Sequence, residues 1–178
     1  MKKVYIIRHG QTDWNKELRR QGRTDIELNA KGEEQARIMR DKLKDVNFDV
    51  CFVSPLKRAR RTAEIIIDGK CETIIEELII EQSMGKLEGT VFGKNEPHNT
   101  HWRLGLNHED ENYEELEEML ERAGEFLDKL RAVEAENILV VSHGGFLKGL
   151  HYKRIGYDEN TDFTDWFLEN CEIDSFEL

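Results

Sequence analysis

Val4-Tyr5-Ile6-Ile7-Arg8-His9-Gly10 decides the fold. Four consecutive β-branched, aliphatic or aromatic residues make a strand buried on both faces, and Arg-His-Gly makes a polar turn at its carboxyl end. Similar strands are expected at Val50–Val53, Glu72–Ile75 and Ile138–Val141. Helical patterns lie between them. Ala30 to Leu43 carries Ala36, Met39 and Leu43 among charges, and Tyr113 to Arg131 carries Leu116, Met119, Leu120, Ala123, Leu127 and Leu130. A third helix is expected to start at Ser54-Pro55 and run to about Ile67, with Ser54 as N-cap and Pro55 in the first helical position. Ser142-His143-Gly144-Gly145 reads as a turn before a helix from about Phe146, and the tail from Phe163 to Leu178 as one or two strands. Residues 83–112 read as irregular. This alternation predicts an α/β fold, a three-layer sandwich with a mostly parallel central sheet and helices on both faces. One domain over residues 1–178 is expected, with a short cap at about 83–112.

Charge narrows the partners. The 178 residues include 26 Lys+Arg and 37 Asp+Glu, a formal net charge of −11, which disfavours nucleic acid and anionic membranes. Residues 1–70 nevertheless hold 17 basic side chains against 11 acidic ones, an excess suited to a small anionic ligand. Much of the acid lies between Glu109 and Glu125 and reads as a solvated helix face. Cys51, Cys71 and Cys171 have neither metal-ligand spacing nor the pattern of a disulfide framework, so a reducing, cytoplasmic setting is expected. The apolar run after Met1-Lys2-Lys3 is too short for a signal peptide or a membrane span.

In such sheets ligands bind at the carboxyl ends of the strands. That rule gathers Arg8-His9, Ser54 to Arg58, and His143 into one pocket. Paired guanidinium forks suit a phosphate. The start of the Ser54-Pro55 helix would add backbone N–H groups, and a neutral imidazole is a nucleophile toward phosphorus. A histidine after a strand, taken alone, is equally a structural group.

The run from Ile6 to Asn15 (Ile6-Ile7-Arg8-His9-Gly10-Gln11-Thr12-Asp13-Trp14-Asn15) resembles the Arg-His-Gly signature of the histidine phosphatase superfamily, the phosphoglycerate mutase-like proteins. Gln21-Gly22-Arg23-Thr24-Asp25 with Leu28, Gly32, Gln35 and Ala36, the block Ser54 to Ala63, Glu81 with Gly85, Glu88 and Gly89, and Val140 to Gly145 follow in the family's order. Asn170 to Ile173 resembles its closing strand. The resemblance implies that His9 attacks the phosphoryl group and becomes phosphohistidine. Arg8, Arg58 and His143 surround the phosphate, Asn15 and the Gly144 N–H add hydrogen bonds, and Gln21 and Gly22 lie at the same subsite. Glu81 rather than Glu88 donates a proton to the leaving oxygen, which requires partial burial of its carboxyl. No metal and no cofactor are implied.

Leu87, Glu27 and Asp110-Glu111-Asn112 depart from the family's usual residues, the last where substrates are recognised. The leading reading is a phosphomonoester phosphatase acting on a small phosphorylated metabolite. A mutase is the second, although this family's cofactor-dependent mutases usually carry a large insertion where only 23 residues separate Gly89 from Tyr113, and a longer C-terminus. A phosphate-binding sensor is the third. His98, His101 and His108 lie in an irregular stretch without partner cysteines and are expected to roof the pocket with Trp102 rather than bind metal. Trp14 is expected there or in plain packing, His151 on the surface after a helix, and the assembly as monomer or homodimer.

Overall fold

The computed structural model describes residues 1–93 and 101–178. Its strands are β1 (Lys3–Arg8), β2 (Val50–Val53), β3 (Glu72–Ile75), β4 (Asn137–Ser142) and β5 (Ile173–Glu177). Its α-helices are α1 (Asp13–Lys16), α2 (Ala30–Lys42), α3 (Lys57–Ile67), α4 (Leu116–Ala132) and α5 (Gly144–Ile155). The strands form one sheet in the order β3-β2-β4-β1-β5, parallel except for β5, which runs antiparallel to β1. This is the α/β sandwich expected from the sequence.

Alternate strand residues feed two cores. Val4, Ile6, Phe52 and Val140 pack with Ala123, Phe126 and Leu127 of α4 and with Phe146 and Leu147 of α5. Ile7, Cys51, Val53 and Val141 pack with Ala36 and Met39 of α2 and with Ala59, Ala63 and Ile66 of α3. Both faces are covered, which is why the central strands read as unbroken apolar runs.

Several boundaries differ from expectation. Ser54-Pro55 does not open α3: Leu56 holds the N-cap position without a side-chain cap. The Ser54 hydroxyl instead meets His143 (Nε2···Oγ 2.6 Å), and the Lys57 N–H donates to Asp25 (2.7 Å), so that amide is not offered to a ligand. Helix α4 starts at Leu116 rather than Tyr113. Tyr113 bridges to Met84, and Glu115 with Glu118 forms a reciprocal capping box. Gly144 and Gly145 belong to α5 itself, with His143 at its N-cap. His151 lies within α5, stacked on Trp166 with ring centroids 4.4 Å apart. The tail supplies one strand, β5. Helix α1 was not foreseen; its four residues are held by a Thr12–Asn15 capping box.

The register of β1, β4 and β2 sets the site. Arg8 pairs with Ser142, and Val53 with Val141. The His9 N–H then donates to the Ser142 carbonyl (2.9 Å) and the Ser54 N–H to the Val141 carbonyl (3.1 Å). Three neighbouring strands therefore end at one level, presenting Arg8-His9, Ser54 and His143 together.

Candidate active site

The His9 and His143 rings lie 5.2 Å apart, centroid to centroid, and both residues are buried. His9 Nδ1 sits 2.7 Å from the Gly10 carbonyl. A carbonyl only accepts, so the neutral ring carries its proton on Nδ1 and keeps its lone pair on Nε2. Burial holds His9 well below the usual 6.5, and Arg58 and Arg8 add to the effect. His143 is lowered likewise, by burial first and then by Arg58, His9, Arg8 and Arg122. At neutral pH both rings are uncharged.

Arg58 is fully buried, and burial brings its guanidinium down to about 10, still protonated at neutral pH. Its Nη1 and Nη2 donate to the carbonyls of Thr24 (2.8 Å) and Gly22 (2.7 Å). That loop is also gripped by Glu88, which accepts from the Arg23, Thr24 and Met84 N–H groups (2.9, 2.9 and 3.2 Å). Gly22 adopts φ +51°, and a Cβ there would lie 2.1 Å from Glu88 Oε1, so only glycine fits. Arg8 donates to the Leu168 carbonyl (2.9 Å) and lies against the Phe167 ring. Arg8 Nε, Arg58 Nε and His143 Nδ1 are buried without hydrogen-bond partners.

Glu81 closes the cluster. Its carboxylate is half-buried and accepts from the N–H groups of Gly145 (3.1 Å), Phe146 (3.0 Å) and Gln82 (2.8 Å), at the start of α5. A Cβ on Gly145 would lie 2.4 Å from Glu81 Oε1. The segment leading to Glu81 is clamped from two sides. Ser142 Oγ donates to the Ile79 carbonyl (2.6 Å), and Arg122 Nη1 donates to the carbonyls of Ile80 (2.8 Å) and Leu78. Arg122 also pairs with Glu114 (2.8 Å).

These groups meet in a cavity of about 290 Å³ lined by Arg8, His9, Asn15, Gln21, Gly22, Arg58, Glu81 and Gly144; His143, its ring 5.2 Å from that of His9, and Glu88 are not in the lining. Asn15 Oδ1 accepts from the Thr12 N–H (3.0 Å), and the single proton of the Thr12 hydroxyl is shared between Asn15 Oδ1 (3.1 Å) and Gln21 Oε1 (3.0 Å). The sequence reading missed Lys148, Gln82, Phe167 and the Arg19-Arg20 pair, all in the lining. Lys148 lies four residues beyond Gly144, one helical turn along the face that opens the site, and that spacing was the available signal. Burial lowers its ammonium to about 8, against Glu81 and Asp162, which raise it, while Arg8 lowers it further. Trp102 and His101 also line the cavity. Trp14 does not; it lies against Gly89. His101 Nδ1 meets His108 Nε2 (2.9 Å), and His108 Nδ1 meets Glu115 (2.7 Å). His98 lies outside the described residues. Among the described residues no cluster of three or more His, Cys, Asp or Glu side chains is arranged to hold a metal.

A larger cavity, about 690 Å³, opens beside β3 and α3. Its Arg61 pairs with Glu33 (2.9 Å) and Glu64 (2.9 Å), and its Lys57 with Glu27 (3.4 Å). It contains no histidine; the buried His9 lines the smaller cavity.

A buried histidine pair ringed by arginines on this sheet defines a phosphate-handling class of enzyme. The chain belongs to the histidine phosphatase superfamily, branch 1, whose family model matches residues 4–178. Over 181 residues it is 37% identical to a Bacillus subtilis protein named uncharacterized phosphatase PhoE, covering 97% of this chain and 89% of that one. It is 35% identical to the probable phosphoglycerate mutase GpmB of Erwinia tasmaniensis, covering 97% of this chain and 83% of that one. The structure superposes on phosphoserine phosphatase from Entamoeba histolytica, solved with 3-phosphoglyceric acid, with a TM-score of 0.83, 30% identity, and coverage of 99% and 91%.

Proposed function

We propose that the protein is a metal-independent phosphomonoester phosphatase working through a phosphohistidine on His9. The observation that carries this reading is the state of His9: buried, neutral, with Nδ1 fixed on the Gly10 carbonyl and Nε2 left as nucleophile beside Arg8 and Arg58. In the first step the Nε2 lone pair forms the N–P bond as the bond from phosphorus to the ester oxygen breaks. The Glu81 carboxyl gives its proton to that oxygen. In the second step water attacks phosphorus, the N–P bond breaks, and the Glu81 carboxylate takes the water proton. Arg8, Arg58, His143, the Asn15 amide and the Gly144 N–H, with Gln21 and Gly22 shaping the subsite, stabilise charge on the equatorial oxygens, so catalysis is mainly positioning and electrostatics. The unpartnered Arg8 Nε, Arg58 Nε and His143 Nδ1 support this assignment, since buried polar groups without acceptors are costly.

The substrate class is a small phosphorylated metabolite, as a cavity of about 290 Å³ accommodates. Residues 83–112 act as a cap of a single domain. Met84, Phe92, His101 and Trp102 line the cavity, and 94–100 lie outside the described residues. Likeness to a probable phosphoglycerate mutase favours a second reading, phosphoryl transfer to another acceptor. Only 23 residues between Gly89 and Tyr113 leave little material to shut a phosphorylated intermediate away from water, which favours the phosphatase. Free cysteines at 51, 71 and 171 fit a cytoplasmic location. The test is release of inorganic phosphate from a panel of phosphomonoesters in the presence of a chelator. Release by the wild type and its loss in His9→Ala, with folding intact, are expected. Release by His9→Ala at the wild-type rate refutes the nucleophile.

A further inference from the structure

Lys148 is an unspent cation. It is 6% exposed, sits on α5 one turn beyond Gly144, and lines the cavity. Its ammonium lies 4.2 Å from the centroid of the Trp102 ring and 5.7 Å from that of Phe167. Among the described residues it forms no hydrogen bond or ion pair. Aromatic faces offset only part of the cost of burying an ammonium.

The acidic groups that act on Lys148 are committed elsewhere. Glu81 accepts the Gly145, Phe146 and Gln82 N–H groups. Asp162 accepts from the Thr164 N–H and hydroxyl (2.8 and 2.6 Å). The other cations of the cavity are engaged as well. Arg8 and Arg58 serve the phosphoryl group in the reading above. Arg19 donates to Glu17 and to the Gly89 carbonyl (2.8 Å), and Arg20 to Thr90 and the Val91 carbonyl.

We propose that Lys148 binds a carboxylate carried by the substrate, so that the site selects small phosphorylated acids over phosphorylated alcohols. This rests on the phosphatase reading and adds a specificity residue to it. A single ammonium is a point charge suited to a monoanion, whereas a second phosphate calls for several converging donors or a bidentate fork. A cavity of about 290 Å³ that already takes a phosphoryl group leaves room for a short acid rather than a nucleotide. Trp102 and Phe167 flank the ammonium and hold it in place.

The test compares kcat/KM within two pairs of phosphomonoesters that share a primary alkyl leaving group: 3-phosphoglycerate with glycerol 3-phosphate, and phosphoserine with phosphoethanolamine. The wild type is expected to prefer the acid in at least one pair. Lys148→Met is expected to lose about 10–100-fold on that acid, mainly through KM, with little change on its partner; Lys148→Arg keeps part of the preference. If the Met variant does not fold, judged by thermal melting, Lys148→Gln replaces it. Equal losses on both members of a pair place Lys148 in the phosphoryl or proton chemistry and overturn the proposal. A wild type without preference in either pair also overturns it while leaving the phosphatase reading intact. No phosphate release from any of the four by the wild type removes the phosphatase reading and this inference with it.

Discussion

At His9 the two ring nitrogens have separate tasks. Nδ1 anchors the ring to Gly10, and Nε2 is kept unprotonated by burial and by two neighbouring guanidinium groups. The same forces bear on stability. His9 and His143 both titrate below 6.5 when folded, whereas the unfolded chain takes up protons near 6.5. Their contribution is present above the unfolded value of 6.5 and is lost as pH falls below it, because only the unfolded chain then takes up the protons. Denaturant unfolding at pH 7, 6 and 5 checks this; equal stability at all three contradicts it. Glu81→Gln is expected to lower kcat about 10²–10⁴-fold for alkyl phosphates, whose leaving oxygen needs a proton, and much less for p-nitrophenyl phosphate. Gly145→Ala, which drives a methyl into the Glu81 carboxylate, is expected to show the same leaving-group bias. A uniform loss on both esters in either variant removes Glu81 as the acid.

Secondary elements were legible where one force dominates. Val50–Val53 and Glu72–Ile75 match their sequence limits because each short β-branched or apolar run is bounded by polar or turn residues, whereas the equally β-branched Ile65-Ile66-Ile67 continues the helical pattern of α3. Polar residues with two possible partners were misread. Ser54 has the chemistry of an N-cap, yet its hydroxyl goes to His143, a partner 89 positions away that only the β2–β4 register supplies. Arg8, His9 and His143 were legible because strand ends place them, and Arg58 because it opens the helix that follows β2, whereas Lys148 offered only its spacing of one helical turn from Gly144. Arg122 was hidden in an acidic helix that reads as solvated. In the fold it ties α4 to the carbonyls of Leu78 and Ile80 and to Glu114. Arg122→Met removes the donor to the Leu78 and Ile80 carbonyls and leaves Glu114 with Arg23 alone (3.3 Å), and is expected to cost about 3 kcal/mol of stability, measured by denaturant unfolding. It is also expected to lower turnover of alkyl phosphates by loosening the segment that carries Glu81. Unchanged stability contradicts the clamp.

Over the whole molecule, a net charge of −11 coexists with a cavity whose lining holds five cations, Arg8, Arg19, Arg20, Arg58 and Lys148, against one carboxylate, Glu81. The basic lining contrasts with the acidic whole and suits a small anion. No helix among the described residues is long and apolar enough to cross a membrane. Vanadate, a phosphoryl mimic, is expected to stabilise the fold by about 2.7 kcal/mol at a hundredfold excess over Kd, a rise in Tm of several degrees. Arg58→Ala is expected to abolish that rise, and a persistent rise contradicts the assigned phosphate site. The central claim is the covalent phosphohistidine, and rapid-quench labelling with a radiolabelled phosphomonoester, without added metal, tests it most directly. Acid-labile, base-stable label on the wild type, absent from His9→Ala and appearing before inorganic phosphate accumulates, is the predicted result. Phosphate release at full rate with no label on the protein at any time would contradict it.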